Sequence, residues 1–202
     1  MALRKKPAPP RAWQRMLSGR RLDLLDPSPL DIEIEDIAHG LARVARWNGQ
    51  TAGSAIFSVA QHSVLVSDIF ALQEPAADAA TRLMVLLHDA PEYVIGDMIS
   101  PFKAVIGESY QAVEARLLSA IHLRFGLPAV TPAPVKIATK KADKVAAFLE
   151  ATRLAGFGIE ESYRIFDDPR PFPASMDGFA LTPQPAEEAK AAFLARFAAL
   201  FR

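Results

Sequence analysis

The chain has four histidines, and one of them, His88, has neighbours that single it out. It closes the apolar run Leu83-Met84-Val85-Leu86-Leu87 and is followed at once by Asp89, so an imidazole and a carboxylate leave a buried helix together. Taking such an ionisable pair out of water costs several kcal/mol unless it is paired or bound to a metal. His62 lies within the helical pattern Val59-Ala60-Gln61-His62-Ser63-Val64. Asp143 lies in a segment whose Ala142, Val145 and Ala146 imply a packed helix. An uncompensated aspartate in that setting calls for a cation. Three segments thus turn N and O donors inward: His62, then His88 with Asp89, then Asp143. Two imidazoles and two carboxylates form a hard-to-borderline set suited to Mn²⁺, Co²⁺, Fe²⁺, Ni²⁺ or Zn²⁺. A His-Asp dipeptide also occurs as a helix-end histidine with an aspartate capping the next turn, and a lone helical histidine is often only a packed core residue.

The elements that must position these donors are mostly helical. Ile37, Leu41, Val44 and Ala45 fit one helix face, starting near Asp36 and ending before Asn48-Gly49. Ser58 is placed to cap a helix carrying His62, Val66, Ile69 and Phe70. Pro75 opens a third, with Leu83, Leu86 and Leu87 on its face. Two longer helices span Glu108 to Phe125 and Val135 to Ala155, and a last one runs from Pro185 to Phe201. Before them, Arg21 to Leu25 and Asp31 to Ile34 alternate apolar and polar residues, which predicts a small N-terminal β-hairpin. Residues 157–184, with Pro169, Pro171, Pro173 and Pro183, read as a loop. The expected fold is a single all-α domain over residues 21–202, with its metal-site core in 36–154 and a C-terminal helix over 185–201.

Composition narrows the function classes. The 202 residues are 50% hydrophobic and contain no cysteine, so disulfides and thiolate metal sites are excluded and a cytoplasmic setting is expected. Lys plus Arg equals Asp plus Glu at 23 each, which speaks against a polyanion-binding protein by bulk charge. The first acid is Asp23, and residues 1–20 form a basic arm with Arg4, Lys5, Lys6, Arg11, Arg15 and Arg20. No apolar run approaches the ~20 residues of a membrane span.

Further blocks recur in a recognisable order. They are Arg46-Trp47, Ser58-Val59-Ala60-Gln61-His62-Ser63, Leu87-His88-Asp89-Ala90-Pro91-Glu92 with Gly96-Asp97, Ser100-Pro101-Phe102-Lys103, and Lys141-Ala142-Asp143. In these blocks, over roughly Asp36 to Leu154, the chain resembles the HD-domain metal-dependent phosphohydrolases. The closer resemblance is to the bacterial 5′-deoxynucleotidase branch and its relatives that hydrolyse deoxynucleoside triphosphates. That resemblance implies an all-α HD-domain helical bundle with His62, His88, Asp89 and Asp143 as ligands of one divalent transition metal. Binuclear relatives carry extra histidines between the His-Asp pair and the last aspartate, where this chain has only His122; His39 also falls outside the pattern.

The resemblance also implies roles. Glu92 matches the acid that orients or deprotonates the attacking water, and Asp97 the carboxylate beside the sugar 3′-hydroxyl. Arg46 matches a phosphate ligand, Trp47 an aromatic that packs on the ribose, and Lys103 a further phosphate contact. Spacing alone leaves these open. Glu92 is four residues after His88, yet Pro91 predicts a kink between them. Glu92 and Asp97 also fit helix-start acids, Arg46 a helix-end cation, Trp47 a core aromatic and Lys103 a surface lysine. The implied function is metal-dependent hydrolysis of a phosphoester in deoxynucleoside monophosphates. The alternatives are a deoxynucleoside triphosphate triphosphohydrolase, and an HD-fold module that binds nucleotide or nucleic acid without catalysis. The expected partner is a small-molecule nucleotide, with a homodimer compatible and no membrane involved.

Overall fold

The computed structural model describes residues 11–99, 102, 105, 107–166, 178–179 and 181–201. Among them, strands β1 (Trp13–Arg15) and β2 (Arg21–Asp23) form an antiparallel hairpin, with Gln14 opposite Leu22. Eight α-helices follow: α1 (Ile34–Leu41), α2 (Val59–Gln73), α3 (Ala79–Leu86), α4 (Glu92–Ile95), α5 (Glu108–Arg124), α6 (Ala133–Arg153), α7 (Ile159–Ile165) and α8 (Ala186–Leu200). The fold is all-α with a small N-terminal hairpin, as the periodicity predicts. None of the helices among the described residues is long and apolar enough to cross a membrane.

Local chemistry corrects the boundaries in four places. The hairpin pairs Arg21–Asp23 with Trp13–Arg15, not with Asp31–Ile34. Ser28 instead caps a 3-10 turn over Pro29–Asp31, its side chain accepting from the Leu30 N–H, and α1 starts directly afterwards. The described part of the expected basic arm, 11–20, is therefore folded: Arg11 and Arg21 lie over the Trp13 ring, and Ser18 bonds the buried carboxylate of Asp36 on α1. Next, α1 ends at Leu41 rather than continuing to Asn48. The backbone groups beyond it pair elsewhere: the Arg46 N–H donates to the Phe57 carbonyl and the Val59 N–H to that of Val44. Third, α3 starts at Ala79, where the Asp78 side chain accepts from the Thr81 N–H at 2.7 Å. Finally, the stretch read as a loop over 157–184 contains α7, whose Glu160 and Glu161 at its N-terminus and Arg164 near its C-terminus suit the helix dipole.

α2 is rich in apolar residues, most of them buried, and becomes the central element, packed against α3, α6 and α8. Its Val59 and Ala60 join one core with Ile37, Leu41, Leu87, Ile121 and Phe193. Its Val66, Ile69 and Phe70 join another with Phe57, Val85, Val145 and Leu149. Burying side chains of this size stabilises by about 1.5–3 kcal/mol each. A histidine early in such a helix is carried into the middle of the protein.

α1 and α4 meet backbone to backbone. A Cβ on Gly40 would lie 2.7 Å from the Tyr93 carbonyl oxygen and 2.8 Å from the Tyr93 Cβ, so glycine is required for this approach. Because Tyr93 follows Glu92, the same contact sets the depth of Glu92, which is 1% exposed. Gly40→Ala is expected to destabilise by about 1–3 kcal/mol through overpacking. Thermal denaturation should then show Tm lowered by about 2–4 °C for each kcal/mol. An unchanged Tm would mean that α4 shifts freely.

Candidate metal centre

His62 occupies the first turn of α2, a helix started by Ser58, whose hydroxyl accepts from the Gln61 N–H. It is fully buried, so both ring nitrogens need partners. Nδ1 lies 2.6 Å from Glu150 Oε1 on α6. Nε2 has no hydrogen-bond partner, yet lies 3.3 Å from Asp143 Oδ1 and 3.4 Å from Asp89 Oδ2.

His88 and Asp89 sit in the turn between α3 and α4, where the expected break before Glu92 occurs: the Ala90 N–H bonds the Leu87 carbonyl and the Glu92 N–H that of Asp89. His88 Nδ1 is 2.8 Å from the Val85 carbonyl oxygen, which can only accept. Nδ1 therefore carries a proton, and in the neutral ring the lone pair is on Nε2. That Nε2 is also buried without a hydrogen bond, 3.1 Å from Asp89 Oδ2.

His62, His88 and Asp143 could together hold a metal ion, since one donor atom from each lies within 4.8 Å of the others. Two donors each ~2.1 Å from one ion, at angles of about 90–110°, are separated by about 3.0–3.4 Å. The separations of 3.1 to 3.4 Å between the Nε2 atoms and the facing carboxylate oxygens fall in that range. Both imidazoles also donate through Nδ1 to a carboxylate or a carbonyl, the arrangement that orients a histidine ligand. Two orphaned Nε2 atoms and this donor set fit a divalent ion. Among the described residues, neither His39 nor His122 joins the cluster; His122 bonds the Pro128 carbonyl instead.

The local field favours positive charge. Burial and Arg46 act to lower the His62 pKa, but Glu150, Asp143 and Asp89 outweigh them and hold it well above the ordinary range. Burial acts to raise the Asp143 and Asp89 carboxyls, and the two histidines overcome this and hold both far below theirs. Lys140 adds its ammonium 2.7 Å from Asp143 Oδ2.

Asp89 and Asp143 open onto a cavity of about 760 Å³, whose polar lining also includes Arg46, Glu92 and Asp97. Arg46 Nη1 donates to Asp97 at 2.9 Å and its Nε to Glu150 at 3.4 Å. Burial alone would lower the Arg46 pKa, but Glu150 and Asp97 hold it charged. Trp47 forms part of an apolar wall with Phe157 and Phe166, at ring separations of 5.5 and 5.9 Å. Its indole N–H donates to Glu150 at 2.8 Å. The structure thus brings together His62, His88, Asp89, Asp143, Glu92, Asp97, Arg46 and Trp47, while Lys103 lies outside the described residues.

Glu150 is absent from the residues that the sequence singles out. A signal for it exists: it stands seven residues after Asp143, two helical turns, within the apolar stripe of Val145, Ala146 and Leu149. An acid there needs buried partners, and it has three.

The chain has a near full-length relative in Rhodobacter capsulatus. The uncharacterized protein RCAP_rcc00048 of that organism is 60% identical over 192 residues, 95% of this chain and 97% of its own length. The chain belongs to its family. The uncharacterized protein YfdR of Escherichia coli (strain K12) is 38% identical over 108 residues, 54% of this chain and 55% of YfdR. No family model matches the chain.

A metal-stripped preparation titrated with Zn²⁺ or Mn²⁺ should take up about one ion per chain, the number that one group of His62, His88 and Asp143 could hold. The ion should stabilise the fold by about 2.7 kcal/mol when free metal is ~100 times its Kd. Asp143→Ala should abolish both uptake and stabilisation. Wild-type protein that gains neither would remove the metal centre.

Proposed function

We propose that this chain is a metal-dependent phosphohydrolase of the HD-domain type, acting as a 5′-deoxynucleotidase on deoxynucleoside monophosphates. The observation that carries this reading is the convergence of His62 and His88 on Asp89 and Asp143, two carboxylates that line a cavity shared with Arg46 and Glu92. His62, His88, Asp89 and Asp143 would be the ligands of one divalent transition metal. When bound, such an ion supplies Lewis-acid polarisation of a phosphoryl oxygen and acidifies water towards a pKa of ~7.

The remaining work falls to the chain's own side chains. Glu92, buried beside the ligands, accepts a proton from the attacking water. Arg46 commits two of its donors to Asp97 and Glu150, so its planar fork is already oriented and its remaining N–H groups serve the non-bridging phosphate oxygens. Asp97, held by Arg46 at the cavity wall, accepts from a sugar hydroxyl. Trp47 is immobilised by Glu150 and by two phenylalanine rings, which supports a rigid wall against the sugar. A rigid wall there leaves no volume for a 2′-hydroxyl. Attack by water on phosphorus and cleavage of the P–O5′ bond yield a deoxynucleoside and inorganic phosphate. The nucleotide pool of the cytoplasm would supply the substrate.

The test is a metal-supplemented hydrolysis screen over nucleoside mono-, di- and triphosphates in deoxy and ribo forms. Deoxynucleoside monophosphates should be cleaved best, with a preference over ribonucleotides of about 10²-fold, the scale on which a pocket disfavours an added hydroxyl. Release of tripolyphosphate would replace the monophosphate reading with the triphosphohydrolase, and no hydrolysis of any nucleotide would overturn the proposal. Glu92→Ala should lower kcat by ~10²–10⁴ while leaving metal content unchanged. Loss of the ion in that variant would make Glu92 a ligand instead. Trp47→Ala should narrow the deoxy/ribo ratio of kcat/KM. An unaltered ratio would place sugar selection elsewhere.

A further inference from the structure

Glu150 is the one carboxylate of the site that faces away from the cavity and into the protein. Its side chain is fully buried and bonded on both oxygens. Oε1 meets Nδ1 of His62, while Oε2 accepts from the Trp47 indole N–H and from Arg46 Nε. One oxygen therefore touches a member of the metal cluster, and the other touches the two side chains that wall the cavity. Their chemistry makes a carboxylate necessary. All three neighbours present N–H donors here, and a carboxylate offers acceptors on both oxygens. An amide of the same shape would turn an NH₂ towards a buried donor and leave that donor unsatisfied, a costly arrangement in a dry site.

The Trp47 end of this link is conformationally loaded. Trp47 and Asn48 both adopt left-handed backbone, at φ 56° and 52°, a conformation that non-glycine residues hold only when their surroundings enforce it. The indole bond to Glu150 is one such restraint, and the bonding of Val44 and Arg46 to the segment before α2 is another.

We infer that Glu150 is a positioning residue that couples metal occupancy at His62 to the placement of Trp47 and Arg46, so that the substrate wall is set when the metal is present. The inference rests on the metal-centre reading above and deepens it. Charge drawn from the His62 ring by a cation on Nε2 strengthens the Nδ1–H bond to Oε1. Oε2 belongs to the same carboxylate, so its bonds to Trp47 and Arg46 respond. Coupling of this kind is reciprocal in binding free energy.

The chain has two tryptophans, Trp13 in the hairpin and Trp47 at the cavity, so two indole N–H resonances report the two places separately. In the full-length, ¹⁵N-labelled, metal-stripped protein, Zn²⁺ alone should shift the Trp47 indole resonance, saturating at about one equivalent, and leave Trp13 unmoved. Glu150→Gln should bind Zn²⁺ about 10–100-fold more weakly, as expected on losing a partner that orients a histidine ligand. At saturating Zn²⁺ its Trp47 resonance should no longer respond. Zn²⁺ binding that leaves Trp47 unmoved in the wild type overturns the coupling and spares the metal centre. So does a Glu150→Gln protein with wild-type affinity and shift. Absence of any Zn²⁺ binding overturns both. Should Glu150→Gln fail to fold, the wild-type titration decides by itself.

Discussion

A histidine with no access to water must have both ring nitrogens answered from inside the protein, and His62 is placed where only three carboxylates can answer it. Glu150 takes Nδ1, and the facing oxygens of Asp89 and Asp143 surround Nε2 without bonding it. Everything else about the site follows from satisfying that one imidazole. α2 must be central, because a first turn in which Val59, Ala60 and His62 are all fully buried needs other elements packed around it. α6 must lie against it, because Asp143 and Glu150 approach opposite nitrogens of the same ring from one face of one helix. The turn after α3 must tighten, so that His88 and Asp89 point into the same space.

Charge explains why this arrangement asks for more than hydrogen bonds. The carboxyls that line or back the cavity, Asp89, Glu92, Asp97, Asp143 and Glu150, outnumber the cations Arg46, Lys140 and Lys144. Buried carboxylates so close together are stable only with compensating positive charge. In the protein itself that demand appears as a histidine pKa pushed up and aspartate pKa values pushed down, each against its own burial. A divalent cation at the two orphaned Nε2 atoms meets the same demand with better geometry than a proton.

The cavity wall is built differently from its floor. Asp143 stands on a long helix and Asp89 in the turn after α3, whereas Arg46 and Trp47 stand on a short connection with two left-handed residues. That connection stays in place because both its ends are tied, the first by the pairing of Ala45 with Ser58 and the bonds of Arg46 and Trp47 to Glu150, the second by the Ala52 N–H donating to the Leu154 carbonyl. Strain held in this way beside a cavity is characteristic of a binding surface rather than a core.

The helical architecture was legible in the sequence because each long helix carries its own signals. Ser58 caps, apolar residues recur every three or four positions, and glycines follow at 126 and 156. The grouping of His62, His88 and Asp143 was legible too, since polar donors beside apolar periodic segments cannot be indifferent to burial. Where periodicity was short, the sequence misled: nothing in Ile37 to Ala45 shows that the backbone after Leu41 bonds the segment before α2 instead of continuing its helix. The strand partner of Arg21–Asp23 was misread as well: it is Trp13–Arg15 and not Asp31–Ile34, and Ser18 in the intervening turn is tied to Asp36 on α1. Glu150 marks the boundary most clearly. Along the chain it is one acid near the end of a long helix, and its spacing from Asp143 places both on one face without saying what that face meets. Only packing α6 against α2 and the Arg46–Trp47 connection brings three N–H donors from residues about ninety to a hundred positions away onto one carboxylate. Local spacing determines which side chains share a face, because helix geometry is periodic; which faces then meet depends on contacts between distant segments, and no local pattern encodes those.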